Sequence, residues 1–243
     1  MKILTKEIIK SLMELLLPAS CLACGKPPEQ FSEIMFCRNC LSEVQILTGP
    51  LCKCCGRQFH KATGGDHLCG LCLTDHYHFD LARALVQYHP PITTIISRFK
   101  YYGQTASLKS FYTIQQQLPG LTELKQPDLI IPVPLHRKRL QQRGFNQALL
   151  LARSFYPDQR HLINFKVLER YRYTEPQTNL SGKIRRANLK KAFRVKDKKV
   201  VAGKKVVLVD DVFTTGTTVN ECAKVLKRAG AKEVLVLTMA RVD

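Results

Sequence analysis

The chain has 243 residues, 45% of them apolar, which is enough to core one or two domains and excludes a disordered polypeptide. It carries 38 Lys and Arg against 19 Asp and Glu, and the imbalance is regional: residues 1–80 hold 8 basic and 8 acidic residues, residues 81–243 hold 30 and 11. A surplus of +19 confined to the C-terminal two-thirds suits a surface that meets phosphate, on a nucleotide or along a nucleic-acid backbone.

The first segment, residues 3–17, reads as an amphipathic helix. Glu7, Lys10 and Glu14 interrupt its apolar run, so it is neither a clean signal peptide nor a membrane span, and a cytoplasmic protein without membrane insertion is expected. Ten cysteines follow a pattern. Cys21 and Cys24 form one CxxC pair and Cys37 and Cys40 a second, 12 residues on. Cys52 and Cys55 form a third, and Cys69 and Cys72 a fourth after 13 residues. Two such units suit two tetrahedral zinc ions, each on four thiolates. The pairs could be used in sequence or interleaved, and His60, His67, His76 and His78 lie close enough to substitute. Cys54 is the odd cysteine and reads as a bystander. Gly25 and Gly56, each just after a pair, suit the tight turn of a zinc knuckle. A segment of this length with so few core residues needs metal to fold, and residues 1–80 read as one unit, a helix plus a double zinc ribbon.

From residue 81 to 243 strands and helices alternate. "ARALVQY" is a strand, "PITTIISRFKY" a helix ending before Gly103, and "PDLIIPVP" a buried strand. "NQALLLARSF" is a helix that starts at Asn146, and "KKVVLV" a strand. "TVNECAKVLKRAG" is a helix closed by Gly230, with Thr218 and Glu221 as a possible capping box, and "EVLVLTM" is the last strand. Continuous apolar strands between helices predict a parallel sheet covered on both faces.

Three segments carry chemistry. Between strand and helix, His136, Arg137, Lys138, Arg139 and Arg143 put five potential cations in eight positions, a loop suited to pyrophosphate or nucleic-acid phosphates. Next, "RYRYTEPQTNLSGKIRRANLKKAFRV" interleaves Tyr171 and Tyr173 with Arg170 and Arg172 and continues through Gln177, Arg185 and Arg186. Between Lys183 and Lys205 it holds 11 basic residues against Asp197 alone. Alternating cations and rings suit a single strand, charge for its backbone and rings for its bases. Third, Val206–Val209 lead into Asp210 and Asp211, and Thr214, Thr215, Gly216, Thr217 and Thr218 turn into the next helix. The turn offers N–H groups and hydroxyls to an anion, and the carboxylates behind it suit hydroxyls. A ribose 5-phosphate satisfies both.

"VVLVDDVFTTGTT" closely resembles the phosphoribosyl-pyrophosphate (PRPP) motif of type I phosphoribosyltransferases. That resemblance implies that Asp210 and Asp211 hold the ribose hydroxyls and residues 214–218 the 5′-phosphate. It also implies PRPP with magnesium as a ligand, a pyrophosphate loop around Pro134 to Arg143, and a lid in the Tyr- and Arg-rich segment. The whole chain, with "FKYYGQ" and "IPVPLHRKRLQQRGFNQA" between the cysteine ribbon and the PRPP motif, resembles the ComF family. Lys100, Tyr101 and Gly103 of "FKYYGQ" are thereby expected near the upper edge of the sheet. The resemblance implies a competence-associated protein linked to natural transformation, where single-stranded DNA is handled after uptake, or to use of DNA as a nutrient. A scaffold whose ribbon docks a DNA translocase or helicase remains open beside it. An active transferase with an unknown acceptor is the alternative. A glutamine amidotransferase is disfavoured, because the chain begins "MKIL" rather than with a cysteine.

Overall fold

In the computed structural model, residues 20–27, 35–59, 64–173 and 191–242 are described. The helix expected over residues 3–17 lies outside them, as does His60. Two short helices, α1 (Arg38–Ser42) and α2 (Gly70–Thr74), begin inside the second CxxC pair of each ribbon unit, with Cys37 and Cys69 as N-caps and Cys40 and Cys72 within the helices.

The rest is built on four parallel strands. They are β1 (Leu81–Gln87), β2 (Leu129–Pro132), β5 (Lys205–Phe213) and β6 (Glu233–Arg241), in the order β1-β6-β5-β2. Alternation sends Val207, Val209, Leu235 and Leu237 to one face and Val206, Leu208, Val234 and Val236 to the other. Both faces are covered, so the middle stretches of the central strands, Val206–Val209 and Val234–Leu237, are apolar on both sides. Helices α3 (Ile92–Tyr102), α4 (Ser107–Gln117) and α6 (Gln147–Phe155) cover the first face. The second is covered by α7 (Thr217–Arg228) and an antiparallel pair, β3 (Leu168–Arg170) with β4 (Phe193–Val195). Helix α5 (Arg137–Arg143) lies between β2 and α6.

The two ribbons straddle the edge strand β1. Cys21, Ala23, Phe36 and Val44 pack into the first face, whereas Cys52, Cys55, Cys69 and Cys72 pack into the second. The backbone joins them to the sheet: Leu47 N donates to Leu85 O, Gln87 N to Gln45 O and Ala82 N to Cys54 O. These bonds consume donors and acceptors that an edge strand would otherwise expose.

Three expectations need correction. The strand does not stop at Val209; it runs on through both acids to Phe213 because β6 continues to pair with it, Asp210 with Thr238 and Phe213 with Arg241. The Thr218–Glu221 capping box does not form. The N-cap is Gly216, in the left-handed region (φ 71°), so Thr218 already lies inside the helix. The basic stretch after β2 is not a loop but a helix of about two turns. His136 caps it, its Nδ1 accepting from Lys138 N at 3.2 Å, and Gly144 closes it in the left-handed conformation.

The ribbon glycines separate two costs. Gly25 and Gly56 both have φ above 70° or at it (77° and 70°). A Cβ at Gly25 would meet nothing within 4 Å, whereas at Gly56 it would lie 2.5 Å from Ala82 O, on the strand that carries the ribbon. Gly25→Ala should cost about 1–2 kcal/mol, the left-handed strain alone. Gly56→Ala should cost above about 3 kcal/mol, because the carbonyl of Ala82 must also move. Urea unfolding of both variants checks this, and equal costs would contradict the packing of the second ribbon on β1.

Candidate functional site: an acidic pair and hydroxyl loop beside a basic rim

The sulfurs of Cys21, Cys24, Cys37 and Cys40 all lie within 4.8 Å of one another, and so do those of Cys52, Cys55, Cys69 and Cys72. A tetrahedron with Zn–S of about 2.3 Å has an edge of about 3.8 Å. Cys24–Cys37 and Cys55–Cys69 are each 3.7 Å apart. The pairs are therefore used in sequence, not interleaved, and the two clusters fit two zinc ions. Electrostatics agrees. At Cys21, burial raises the thiol pKa but the N–H groups of Cys24, Cys37 and Ala23 overcome it and bring it down to about 6. At Cys52, N–H groups of Cys69, Cys55 and Cys54 likewise prevail over burial, and the value is about 6. Burial and the neighbouring sulfurs push Cys40 and Cys72 up. One thiolate per cluster is cheap and four are not, unless a divalent soft cation sits among them. Histidine is not needed: the His67 ring stacks on Phe59 at 3.9 Å and its Nδ1 contacts Gly65 O at 3.0 Å. Cys54 belongs to neither set of four. Burial pushes its thiol up to about 11.

Asp210 and Asp211 stand where ligands sit in parallel sheets, toward the C-terminal end of β5. Asp210 Oδ1 accepts from Asp211 N at 2.9 Å, which fixes its carboxylate. Burial and the neighbouring Asp211 push its pKa up to about 7, against the opposing pull of Lys100 and Arg170. Asp211 is paired with Lys100, whose Nζ lies 3.0 Å from Oδ1. Lys100 sits at the end of α3, which Gly103 terminates at φ 65°. The ammonium of "FKYYGQ" thus reaches the site itself.

Beyond the acids, Thr214 and Thr215 are exposed, and Thr215 Oγ1 and Thr217 Oγ1 are 2.7 Å apart. Gly216 is required there by its φ and by a close approach. A Cβ would fall 2.5 Å from Phe213 Cζ. Phe213 is itself held by the edge of Phe79, centroids 6.0 Å apart, and by the Arg241 guanidinium 5.2 Å from its ring centre. Arg241 Nη1 donates to Cys55 O of the second cluster. Tyr77 OH donates to Thr215 O at 3.5 Å, and His78 N to Asn220 Oδ1 at 2.6 Å. The second ribbon therefore braces the loop and the first turn of α7. Single-residue patterning does not reveal these contacts, because they join segments more than 130 residues apart.

The basic residues form a rim beside the acids. Arg143 lies over the Tyr101 ring at 5.6 Å, Lys138 over Tyr173 at 4.9 Å and Arg194 over Tyr171 at 5.3 Å. The His136 ring leans on Tyr173 at 5.0 Å. Tyr101 and Tyr102 are 71% and 77% exposed. Arg137 is turned away toward Glu169, at 3.8 Å, where Arg194 and Lys196 also converge. Arg139 is partly buried near Arg143. The three arginines expected to act as one loop thus divide between an outer ion-pair cluster and an inner rim. Arg172 is exposed beside Tyr173. Gln177, Arg185 and Arg186 lie outside the described residues.

Among known proteins, residues 12–73 match the double zinc ribbon domain family and residues 149–242 the phosphoribosyl transferase domain family. Competence protein F of Haemophilus influenzae is 36% identical over 212 residues, covering 84% of this chain and 90% of that protein. DNA utilization protein YhgH of Escherichia coli O157:H7 is 34% identical over 231 residues, covering 93% and 99%. Competence protein ComFC of Bacillus subtilis is 26% identical over 211 residues, covering 84% and 83%.

Two outcomes follow from this geometry. Cys72→Ser cuts the second cluster to three thiolates, so amide hydrogen exchange should quicken across Thr214–Asn220, whereas Cys24→Ser in the first cluster should leave that loop unchanged; equal protection in both variants would refute the bracing. The second concerns Asp210. Its folded pKa lies above its unfolded value, so the folded chain holds the extra proton, and stability from this group is full at acid pH and lost as pH rises toward and through about 7. Asp210→Asn keeps the acceptor for Asp211 N and removes the titration. It should match the parent near about pH 4 and exceed it by roughly 1–3 kcal/mol at about pH 8, read as urea midpoints.

Proposed function

The chain belongs to the ComF family, with relatives named for competence and DNA utilization and a phosphoribosyl transferase domain, and on that premise we propose that it handles single-stranded DNA, with a PRPP-type site at Asp210–Thr218. The observation that carries this reading is the rim: tyrosines 101, 171 and 173, each with a cation over its ring, next to a hydroxyl loop at a helix N-terminus. A single strand needs both parts. Its phosphates would be met by Arg143 and Lys138, and its bases would stack on the tyrosine faces that the cations leave uncovered, at about 1–3 kcal/mol per base. The zinc ribbons add no net charge and act as support. Leu71 and Leu73, 50% and 64% exposed on α2, offer an apolar face to a protein partner of the uptake machinery, such as a DNA translocase or helicase. Among the described residues no helix is long and apolar enough to cross a membrane.

The acidic pair favours a second reading of the same site. Deoxyribose lacks the 2′-hydroxyl, so a DNA end alone does not use both Asp210 and Asp211. A ribose does. PRPP would place its diol against the acids and its 5′-phosphate on residues 214–218. Magnesium, when bound, would neutralise the pyrophosphate. Lys100 then has to yield Asp211 or follow it to the ligand, since both compete for one carboxylate. Transfer to an acceptor is the chemistry this arrangement would allow.

Fluorescence anisotropy with a labelled single strand tests the first reading. Tyr101→Ala with Tyr173→Ala should weaken binding by roughly 10–100-fold with little change in salt dependence. Arg143→Ala with Lys138→Ala should weaken binding and reduce the salt slope. No retention at low salt would end this reading. Calorimetry with PRPP and magnesium tests the second: Asp210→Ala with Asp211→Ala should abolish heat of binding while single-strand affinity persists.

A further inference from the structure

The main chain at Lys100 is held from several sides. The preceding Phe99 is fully buried, and its ring centre lies 6.1 Å from that of Phe145. The Lys100 carbonyl accepts from Nε2 of Gln147, a buried residue at the start of α6, at 3.4 Å. Gly103 ends α3 just beyond, its N–H donating to Arg98 O. The backbone is pinned, and the side chain is the part left to move. Its ammonium lies 3.0 Å from Asp211 Oδ1, with 22% of the lysine side chain and 15% of the aspartate side chain exposed. Water screens a pair this sheltered poorly.

This placement limits what the acids can hold. A divalent cation on Asp211 Oδ1 would meet the ammonium at contact distance, with little water between the two charges. Asp211 therefore does not fit as a magnesium ligand while Lys100 is seated. A sugar hydroxyl does fit. It brings no charge, donates to the carboxylate and accepts from the ammonium, whose three donors are not used up by one carboxylate oxygen. Charge balance points the same way. A phosphate monoester brings a charge of about −1.5 to −2. The Thr214–Thr218 loop that would receive it offers hydroxyls and N–H groups but no cationic side chain, and it follows the two acids directly along the chain. A cation beside the acids offsets their repulsion of that phosphate, and Lys100 is already there. Arg137, Arg194 and Lys196 face Glu169, and Lys138 and Arg143 lie on tyrosine rings.

We propose that Lys100 is the built-in countercharge of the ribose seat: it stays with Asp211 when the ligand arrives, donates to a ribose hydroxyl, and lets a ribose 5-phosphate bind without a divalent ion. The inference rests on the PRPP-type reading of Asp210–Thr218 and adds to it a ligand-contacting lysine and an independence from metal. Magnesium then matters only to the pyrophosphate half of PRPP.

Zinc-loaded full-length protein is titrated calorimetrically with ribose 5-phosphate, in buffer with no divalent ion added and again with millimolar magnesium. No chelator is used, so the ribbons keep their zinc. The parent should bind equally, within about threefold, under both conditions. Lys100→Met removes a charged donor and should weaken the magnesium-free binding by roughly 10–100-fold. Magnesium should restore part of that loss, because Asp211 is then open to the metal. A variant that had merely lost its fold would regain nothing, and the comparison in the parent needs no variant at all. Binding by the parent only with magnesium, full magnesium-free affinity in Lys100→Met, or a loss there that magnesium leaves unchanged would each overturn the inference. PRPP binding with magnesium would leave the site reading standing in all three cases. No binding of ribose 5-phosphate or PRPP under either condition would overturn both.

Discussion

The Thr214–Thr218 loop rests against the Cζ end of the Phe213 ring, and that contact sets the terms for everything around it. Gly216 approaches the ring so closely that no side chain fits, and its positive φ reverses the chain from strand into helix within a few residues. Phe213 therefore has to be immobile. It is the last residue of β5, paired across to Arg241 of β6, edge-on to Phe79 and capped by the Arg241 guanidinium. Arg241 in turn bonds the backbone of Cys55. A short chain of rigid contacts thus runs from a four-cysteine cluster to the backbone amides of the loop. Hydroxyl and N–H donors organised in this way need not be reorganised when an anion arrives.

The charge pattern follows from the same placement. Two carboxylates on consecutive residues of a buried strand repel each other, and water does not screen them well. The protein handles this in two ways: Asp211 is paired with Lys100, and Asp210 tends to hold a proton. The cations that could have neutralised the pair more fully are held elsewhere. Arg137, Arg194 and Lys196 converge on Glu169, and Arg143 and Lys138 lie on tyrosine rings. The acids are kept short of countercharge while the rim keeps an excess. Such a site favours ligands that bring hydroxyls or a metal to the acids and phosphates to the rim.

Much of this is legible in the chain before any coordinates. The apolar runs at 129–132, 206–209 and 234–237 give buried parallel strands because nothing polar interrupts them. The CxxC spacing gives four-sulfur clusters because the knuckle geometry is local. Asp210, Asp211 and residues 214–218 are adjacent in sequence, so the motif carries its own geometry. What fails is whatever depends on a partner far along the chain. The strand outlasts Val209 only because β6 pairs with it, and the 137–143 segment is helical because His136 caps it and Tyr173 packs on that cap. Lys100 is a helix-end lysine by pattern, and only the fold reveals that this end points at Asp211. The Thr218–Glu221 capping signature is real in spacing but loses to Gly216, whose left-handed turn places the N-cap two residues earlier.

The cysteine ribbons gain a function from this arrangement without touching a ligand. With balanced charge they attract little phosphate, and their sulfurs in the second cluster are buried. Their backbone, however, completes the edge of β1, and their side chains fill both faces of the sheet beside it. An uncovered edge would pair with other chains, and an unbraced Phe213 would release the loop. The second cluster is therefore joined to the Thr214–Thr218 loop through packing alone. The second cluster, all four cysteines buried and one contact removed from Phe213, is the coupled one. The first, with Cys24 exposed and its neighbours packed on the opposite face, serves the fold of the sheet's other side.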